Sequence, residues 1–347
     1  MFYLKYRPQK IAELDLVEIR NGLAKVLSSG HIPHAFLFAG PRGTGKTSAA
    51  RIIAKAVNCE RRSEGIGEPC NKCSMCKDIT SGTALDLIEI DAASNRGIDD
   101  IRNLREKIKL APIRAKYKVY IIDEVHMLTT EAFNALLKTL EEPPSHAIFI
   151  LCTTEPEKLP GTIISRCLYF NFKKGRVEEI VHCLKKVIKG EKLEVEKEVL
   201  SEIAKYTDGS FRDAQKTLEQ LSLGNKKITV EMFNKEIGKS KAYRPEMLLQ
   251  FLVENKVNEA ILEVNRAVEG GANLRSYTEE LLEILRNCLL QSIGCSDRPV
   301  ACQLNRVQAV RLIELFMRAG KEVKTAIIPQ LPLELAIIEY VKQTEKT

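Results

Sequence analysis

Apolar residues follow two different rhythms along this chain. In the first half, four short runs rich in β-branched and aromatic side chains stand out: Phe36-Leu-Phe-Ala39, Leu85-Asp-Leu-Ile-Glu-Ile90, Lys118-Val-Tyr-Ile-Ile122 and Ala147-Ile-Phe-Ile-Leu-Cys152. Helical patterns separate them. Such alternation predicts a parallel sheet covered on both faces, so residues 1–172 are expected to form an α/β domain. Past Lys173-Lys-Gly-Arg176 the apolar period becomes three and four, predicting helices at about 176–189, 196–207 and 210–223 and a small helical domain over 173–238. A break at Ile237-Gly-Lys-Ser-Lys241 precedes further helices through Val341, with long ones at about 274–292 and 305–328, so 239–347 reads as a third, all-helical domain. No internal repeat or low-complexity segment is present.

Composition adds little. A length of 347 residues suits two or three domains. With 44% apolar and 29% charged residues, and no apolar run of the roughly 18 residues a membrane span needs, a soluble cytosolic protein is expected. The start, Met1-Phe-Tyr-Leu-Lys-Tyr-Arg-Pro8, has no export signal pattern. The net charge of +7 suits nucleic acid or a solvated surface equally, since no Lys/Arg block concentrates it.

Candidate chemistry changes the picture. Directly after the first apolar run stands Gly40-Pro41-Arg42-Gly43-Thr44-Gly45-Lys46-Thr47, leading into a helix expected from near Ser48. This is the P-loop pattern: glycines let successive N–H groups face the phosphates of ATP, the helix dipole adds positive potential, Lys46 reaches the β- and γ-phosphates, and Thr47 ligates Mg²⁺. A second strand must supply acid. Val119-Tyr-Ile-Ile-Asp-Glu-Val-His126 does so, with Asp123 in the Mg²⁺ shell and Glu124 placed to activate water. Alone, such a pair would read equally as solvent-facing punctuation; the upstream loop gives it a partner.

The cysteines make a second constellation. Cys59-x₁₀-Cys70-x₂-Cys73-x₂-Cys76 lies in a polar, turn-prone stretch that includes Ser63-Glu-Gly-Ile-Gly67. Four thiols at this spacing suit a closed, structural Zn²⁺ site, which would fix an insert at about 59–76 too poor in apolar residues for its own core. A redox C-x-x-C and an iron–sulfur cluster are the competing readings. Cys152, Cys167, Cys183, Cys288, Cys295 and Cys302 are expected to be small buried apolar residues.

Asp123-Glu-Val-His-Met-Leu128, Phe133-Asn-Ala-Leu-Leu-Lys-Thr-Leu-Glu-Glu-Pro-Pro144 and Ser165-Arg-Cys167 resemble the clamp-loader branch of the AAA+ ATPases, and within it the gamma/tau family of bacterial DNA polymerase III. The resemblance is dense from Tyr3 to about Leu223, and only the helical layout continues it beyond 240. It implies an AAA+ sheet with a zinc insert, a helical lid and an all-α collar. It also implies that Arg166 is a finger reaching the neighbouring subunit's γ-phosphate, that Thr154 is a sensor at the fourth strand's end, and that Arg212 in Gly209-Ser-Phe-Arg-Asp-Ala214 clamps phosphates from the lid. Tyr6-Arg7-Pro8 resembles the segment lining the adenine end, placing Arg7 in the ATP site, although Glu13-Leu-Asp-Leu-Val-Glu18 departs from relatives there. Asn95 and Arg96, in Asp91-Ala-Ala-Ser-Asn-Arg-Gly-Ile98, resemble an inward DNA-facing segment, with helix capping by Ser94 or Asn95 as the plain alternative.

What the resemblance implies about partners follows. They are delta and delta-prime subunits and further gamma/tau copies in a hetero-pentameric ring, the sliding clamp, and primer–template DNA gripped through phosphates, with no membrane and a bacterial, nucleoid-associated cytoplasmic setting. Relatives of the tau type continue into domains absent after Thr347, so a short gamma-like product or a trimmed chain both remain open. A related AAA+ motor such as a branch-migration helicase and a non-catalytic ring scaffold are the alternatives. The cysteine cluster with Ser165-Arg-Cys167 argues against the first, and Lys46, Asp123 and Glu124 argue against the second.

Overall fold

The structure, a computed structural model, describes residues 1–61, 67–95, 97, 106–236, 244–295, 304–323 and 326–344. By internal packing the chain divides into two compact units, Met1–Thr229 and Val230–Thr347.

The first unit is built on five strands, β1 (Ala35–Ala39), β2 (Leu87–Asp91), β3 (Lys118–Asp123), β4 (Ala147–Thr153) and β5 (Leu168–Asn171). They lie in the order β2-β3-β4-β1-β5, every neighbouring pair parallel. β1 and β4 are buried throughout, as is β3 up to Asp123, so these continuous apolar runs are central strands. Two expectations change. β2 begins at Leu87, because Leu85 is exposed in the preceding turn. β5 escaped notice because its apolar stretch, Leu168-Tyr-Phe170, is only three residues long and mostly exposed. Its register is held by the aromatic contacts of Phe170 and Phe172 with Phe38, at ring centroid distances of 5.7 and 5.0 Å.

Around the sheet run α1 (Phe2–Lys5), α2 (Val17–Ser28), α3 (Lys46–Asn58), α4 (Ser74–Ser81), α5 (Thr130–Glu141) and α6 (Gly161–Ile164). α3 begins at Lys46, earlier than expected, because Gly45 at φ 100 takes the cap position and turns the loop straight into the helix. Ala49, Ala50, Ile52, Ile53, Ala54, Ala56 and Val57 are all buried, so α3 is covered on nearly every side.

The helices α7 (Val177–Glu191), α8 (Lys197–Tyr206) and α9 (Phe211–Leu221) match the expected segments. A two-stranded parallel ribbon of β6 (Glu194–Val195) and β7 (Lys227–Ile228), too short for a periodic signal, joins them. They pack with the sheet in one compact unit that runs to Thr229. The contacts are specific: Phe211 N–H donates to the Gly43 carbonyl at 3.1 Å, and Lys186 pairs with Asp15 at 2.6 Å.

The second unit holds α10 (Val230–Glu236), α11 (Pro245–Val253), α12 (Val257–Glu269), α13 (Leu274–Ser292), α14 (Arg306–Glu322) and α15 (Leu331–Thr344), with no strand among its described residues. Its core gathers Leu248, Leu252, Tyr277, Leu281, Phe316 and Tyr340. α14 starts on a reciprocal cap between Asn305 and Gln308 and stops at Glu322, short of the expected 328. Cys152, Cys183 and Cys288 are buried and Cys167 partly so; Cys295 is exposed, contrary to expectation, because it follows the end of α13 in a turn, and Cys302 lies outside the described residues. Among the described residues no helix is long and apolar enough to cross a membrane.

Candidate active site

The loop after β1 is anchored before it curls. Gly40 N–H donates to the Thr153 carbonyl at the end of β4, 3.1 Å away. At φ 147, a Cβ on Gly40 would lie 2.0 Å from the Phe172 carbonyl oxygen, so only glycine fits between β1 and the chain leaving β5. Gly43, at φ 75, meets the same restriction from Ser210 Oγ at 2.1 Å. Lys46 folds back over this loop, donating to the carbonyls of Gly40 at 2.6 Å and Pro41 at 2.9 Å, and is 7% exposed. Burial pushes its ammonium below the ordinary lysine range, while Glu124 and Asp123 pull the other way.

Parallel pairing then brings the acids to the loop. Thr47 Oγ1 donates to Asp123 Oδ2 at 3.0 Å. Glu124 leaves the strand in the left-handed conformation, φ 48, its N–H on Asp123 Oδ1 at 3.0 Å. That backbone is uncommon outside glycine and breaks the strand at this residue. The Glu124 carboxylate accepts from Thr154 Oγ1 at 2.9 Å and pairs with Arg42 at 3.4 Å. Behind it, His126 Nδ1 lies 3.0 Å from Thr153 Oγ1, and its other nitrogen is 3.2 Å from Glu155.

Arg42, Lys46, Thr47, Asp123 and Glu124 line a cleft of about 830 Å³ together with Arg7 and Arg212. Arg7 Nε donates to Ser48 Oγ at 2.8 Å, and burial together with the Arg51 charge lowers its affinity for its proton. The Arg212 guanidinium lies over the Tyr3 ring, 4.7 Å from its centroid. Arg7, Lys46 and Arg212 therefore concentrate positive potential opposite the Asp123–Glu124 carboxylates. A polyanion with a bridging divalent cation matches that division of charge. The donor set fits both: loop amides and cations for phosphates, Thr47 and Asp123 for Mg²⁺.

Not every expected residue is gathered here. Thr154 reaches the site through Glu124. Arg166 does not line the cleft; it donates to the Thr162 carbonyl at 2.8 Å and pairs with Glu141 at 2.7 Å. Asn95 donates through its side chain to the Asp91 carbonyl at 3.0 Å, closing a turn after β2, and Arg96 lies outside the described residues. Cleft residues that the sequence did not point to include Asp91, Tyr3 and Arg51. Asp91 lines the cleft beside Asp123, its register partner, and could have been noticed as an acid closing a strand. Tyr3 and Arg51, which makes two hydrogen bonds to Glu89 at 2.6 and 2.5 Å, carry no local signal.

The sulfurs of Cys59, Cys70, Cys73 and Cys76 lie within 4.8 Å of one another. Backbone amides already point at them: Cys70 N–H to Cys59 at 3.3 Å, Lys72 and Cys73 N–H to Cys70 at 3.4 and 3.3 Å, and Cys76 N–H to Cys73 at 3.5 Å. Such donors favour thiolates. The Lys72 amide leads in lowering Cys70 to about 6, whereas burial raises Cys76. Four converging sulfurs, three of them buried, fit a closed tetrahedral zinc site. Of the turn-prone stretch read in the sequence, residues 63–66 lie outside the described residues.

Comparison with known proteins agrees with the geometry. A protein-family model described as "DNA polymerase III, delta subunit" matches residues 17–176. The chain is 40% identical to the Bacillus subtilis DNA polymerase III subunit tau over 99% of its own length, spanning 64% of that protein. It is similar in fold to the Thermotoga maritima RuvB branch migration motor, with a TM-score of 0.52 at 18% identity over 85% of this chain and 87% of the other, a likeness of AAA+ fold alone. It is also 39% identical to the DNA polymerase III subunit gamma of Buchnera aphidicola subsp. Baizongia pistaciae, over 96% of this chain and 91% of that one, and on this agreement the chain belongs to the bacterial DNA polymerase III gamma/tau family.

Proposed function

We propose that this chain is the ATPase motor subunit of the bacterial replicative clamp loader, using ATP binding and hydrolysis to place the sliding clamp on primed DNA. The observation that carries the reading is the meeting of Lys46 and the Thr47–Asp123 pair with Glu124 in one cleft. Loop amides from Arg42 to Thr47 and the Lys46 ammonium bind the phosphates, and Arg7 and Arg212 close over them. Mg²⁺, held through Thr47 and Asp123, supplies charge neutralisation on the phosphates. Glu124, oriented by Thr154, takes the proton of the attacking water. The cation still lacking for the transferred phosphoryl group comes from Arg166 of a neighbouring copy. That Arg166 is absent from its own cleft supports this assignment.

The helices over 173–238 then act as a lid whose angle Arg212 links to nucleotide, and 239–347 as the collar of a hetero-pentameric ring with delta, delta-prime and further gamma/tau copies. Primer–template DNA is gripped through phosphates, with Asn95 and Arg96 among the contacts. Zn²⁺ on the four cysteines is structural. A motor that loads clamps on chromosomal DNA acts in the bacterial cytoplasm at the nucleoid.

The test is ATP turnover of the chain assembled with its partner subunits, clamp and primed DNA. Clamp and DNA should stimulate turnover together, and Arg166→Ala should abolish the stimulation, by at least about 10³-fold for a finger. Unchanged turnover on adding clamp, with every partner present, would end the clamp-loader reading.

A further inference from the structure

Lys55 lies further along α3 from Lys46 and is 2% exposed. Its ammonium donates to three neutral oxygens: the Gln9 carbonyl at 3.0 Å, Gln9 Oε1 at 2.7 Å and Asn71 Oδ1 at 2.8 Å. All three of its donors are thereby used. An ammonium buried this way costs more than a hydrocarbon of the same size, and burial lowers its proton affinity. What the charge contributes is direction, because each donor left unpaired carries a desolvation penalty.

The two acceptor residues belong to different sites. Asn71 stands between Cys70 and Cys73 in the left-handed conformation, φ 56, so the cysteine turn sets where its carboxamide lies. Its Nδ2 donates back to the Gln9 carbonyl at 3.1 Å, closing a ring of hydrogen bonds with Lys55. Gln9 follows Arg7-Pro8, and its own Nε2 donates to the Arg7 carbonyl at 3.0 Å. Arg7 in turn reaches Ser48 and lines the cleft. A continuous path therefore runs from the cysteine cluster through Asn71, Lys55 and Gln9 to Arg7.

We propose that Lys55 is a positioning residue through which the cysteine turn, ordered by zinc, sets the Arg7 segment against the nucleotide cleft, so that zinc and nucleotide bind cooperatively. This rests on the nucleotide and zinc assignments made above. Without metal the turn no longer holds Asn71 in place. Lys55 then loses one acceptor, Gln9 loses the Asn71 Nδ2 donor, and Arg7 must be ordered anew when phosphates arrive. Linkage makes the effect reciprocal: nucleotide must strengthen zinc binding by the same factor.

The test is titration of the full-length protein with a fluorescent ATP analogue, zinc-loaded and chelator-stripped, in the parent, Lys55→Met and Asn71→Gly. Asn71→Gly keeps all four cysteines and a residue suited to positive φ. Stripping should weaken the parent's nucleotide affinity about tenfold, inside the roughly 5–150-fold span of ordinary coupling. Loaded Lys55→Met and Asn71→Gly should each bind nucleotide as weakly as the stripped parent, and stripping should not weaken them further. Zinc affinity by chelator competition should rise with ATP in the parent and stay flat in both variants. Equal nucleotide affinity of the loaded and stripped parent overturns the coupling, as does a Lys55→Met protein that keeps the parent's dependence. Should the stripped parent unfold, loaded Asn71→Gly decides: parent-like affinity overturns the proposal. Failure of every form to bind nucleotide would instead remove the cleft assignment beneath it.

Discussion

Thr154 holds Glu124 by one hydrogen bond, Oγ1 to Oε2 at 2.9 Å, so the carboxylate assigned to water activation is oriented from the end of a neighbouring strand. Replacing Glu124 by Gln keeps that hydrogen bond and removes the base. Single-turnover hydrolysis should slow by about 10²–10⁴-fold with nucleotide affinity unchanged. Thr154→Val keeps the base and frees it, so the rate should fall by roughly tenfold, since misplacement costs less than removal. Equal rates in Thr154→Val and the parent would show that the hydroxyl positions nothing.

Lys46 offers a cleaner separation of binding from folding. Its ammonium rests on carbonyls of its own loop and is penalised by burial. Lys46→Ala should therefore melt close to the parent while weakening ATP by about 30-fold or more, the scale of a lost buried charge contact of about 2 kcal/mol. Calorimetric titration beside a thermal melt measures both. Parent-like affinity would show the loop to be misassigned.

Two loop glycines should behave differently. Gly40→Ala places a methyl 2.0 Å from the Phe172 carbonyl and should destabilise the fold by about 2 kcal/mol or more. Gly45→Ala, at φ 100 with nothing within 4 Å, carries the backbone strain alone, about 1–2 kcal/mol. Urea unfolding ranks them; the reverse order would contradict the described packing.

Cys73→Ser removes one of four converging sulfurs. Zinc content should fall from one equivalent to near none, and residues 59–76 should become the first site of proteolysis. Elemental analysis with limited proteolysis reads both. Full zinc retention would mean that the four cysteines are not the ligand set.

Asp86 gives a pH dependence. Burial alone would raise its carboxyl, but the amides of Ile113, Arg114 and Ala115, each at 2.8 Å, hold it below the usual 3.8. A depressed folded value means the stabilisation is complete above 3.8 and is lost as pH falls further through the folded value. Asp86→Asn should cost about 1.5–3 kcal/mol near neutrality, with the gap to the parent closing below pH about 3.8. A gap independent of pH would mean that the carboxylate charge is not what the amides hold.

Much of this molecule is legible in one dimension because its signals are local. The P-loop, the acids after β3 and the cysteine spacing each sit within a few consecutive residues whose types the chemistry demands. The central strands announce themselves because burial on both faces requires unbroken apolar runs, as in Ala147–Thr153. β5 does not: its apolar stretch, Leu168-Tyr-Phe170, is too short to stand out, and what packs this edge is the contact of Phe170, and of Phe172 just beyond it, with Phe38 across the fold.

The candidate site divides the same way. Lys46 with Thr47, and Asp123 with Glu124, can each be read as neighbours within one motif, but that the two pairs meet, Thr47 on Asp123, is decided by how the strands assemble. That Tyr3 lies beneath Arg212, that Arg7 meets Ser48, and that Lys55 joins Gln9 to Asn71 could not be read in advance. Those pairings depend on which helix faces which strap once the sheet is assembled, and side chains far apart in the chain carry no mark of one another. Local chemistry names the donors and acids; only packing chooses their partners, since partner choice is set by burial and by the distances that close-packing enforces.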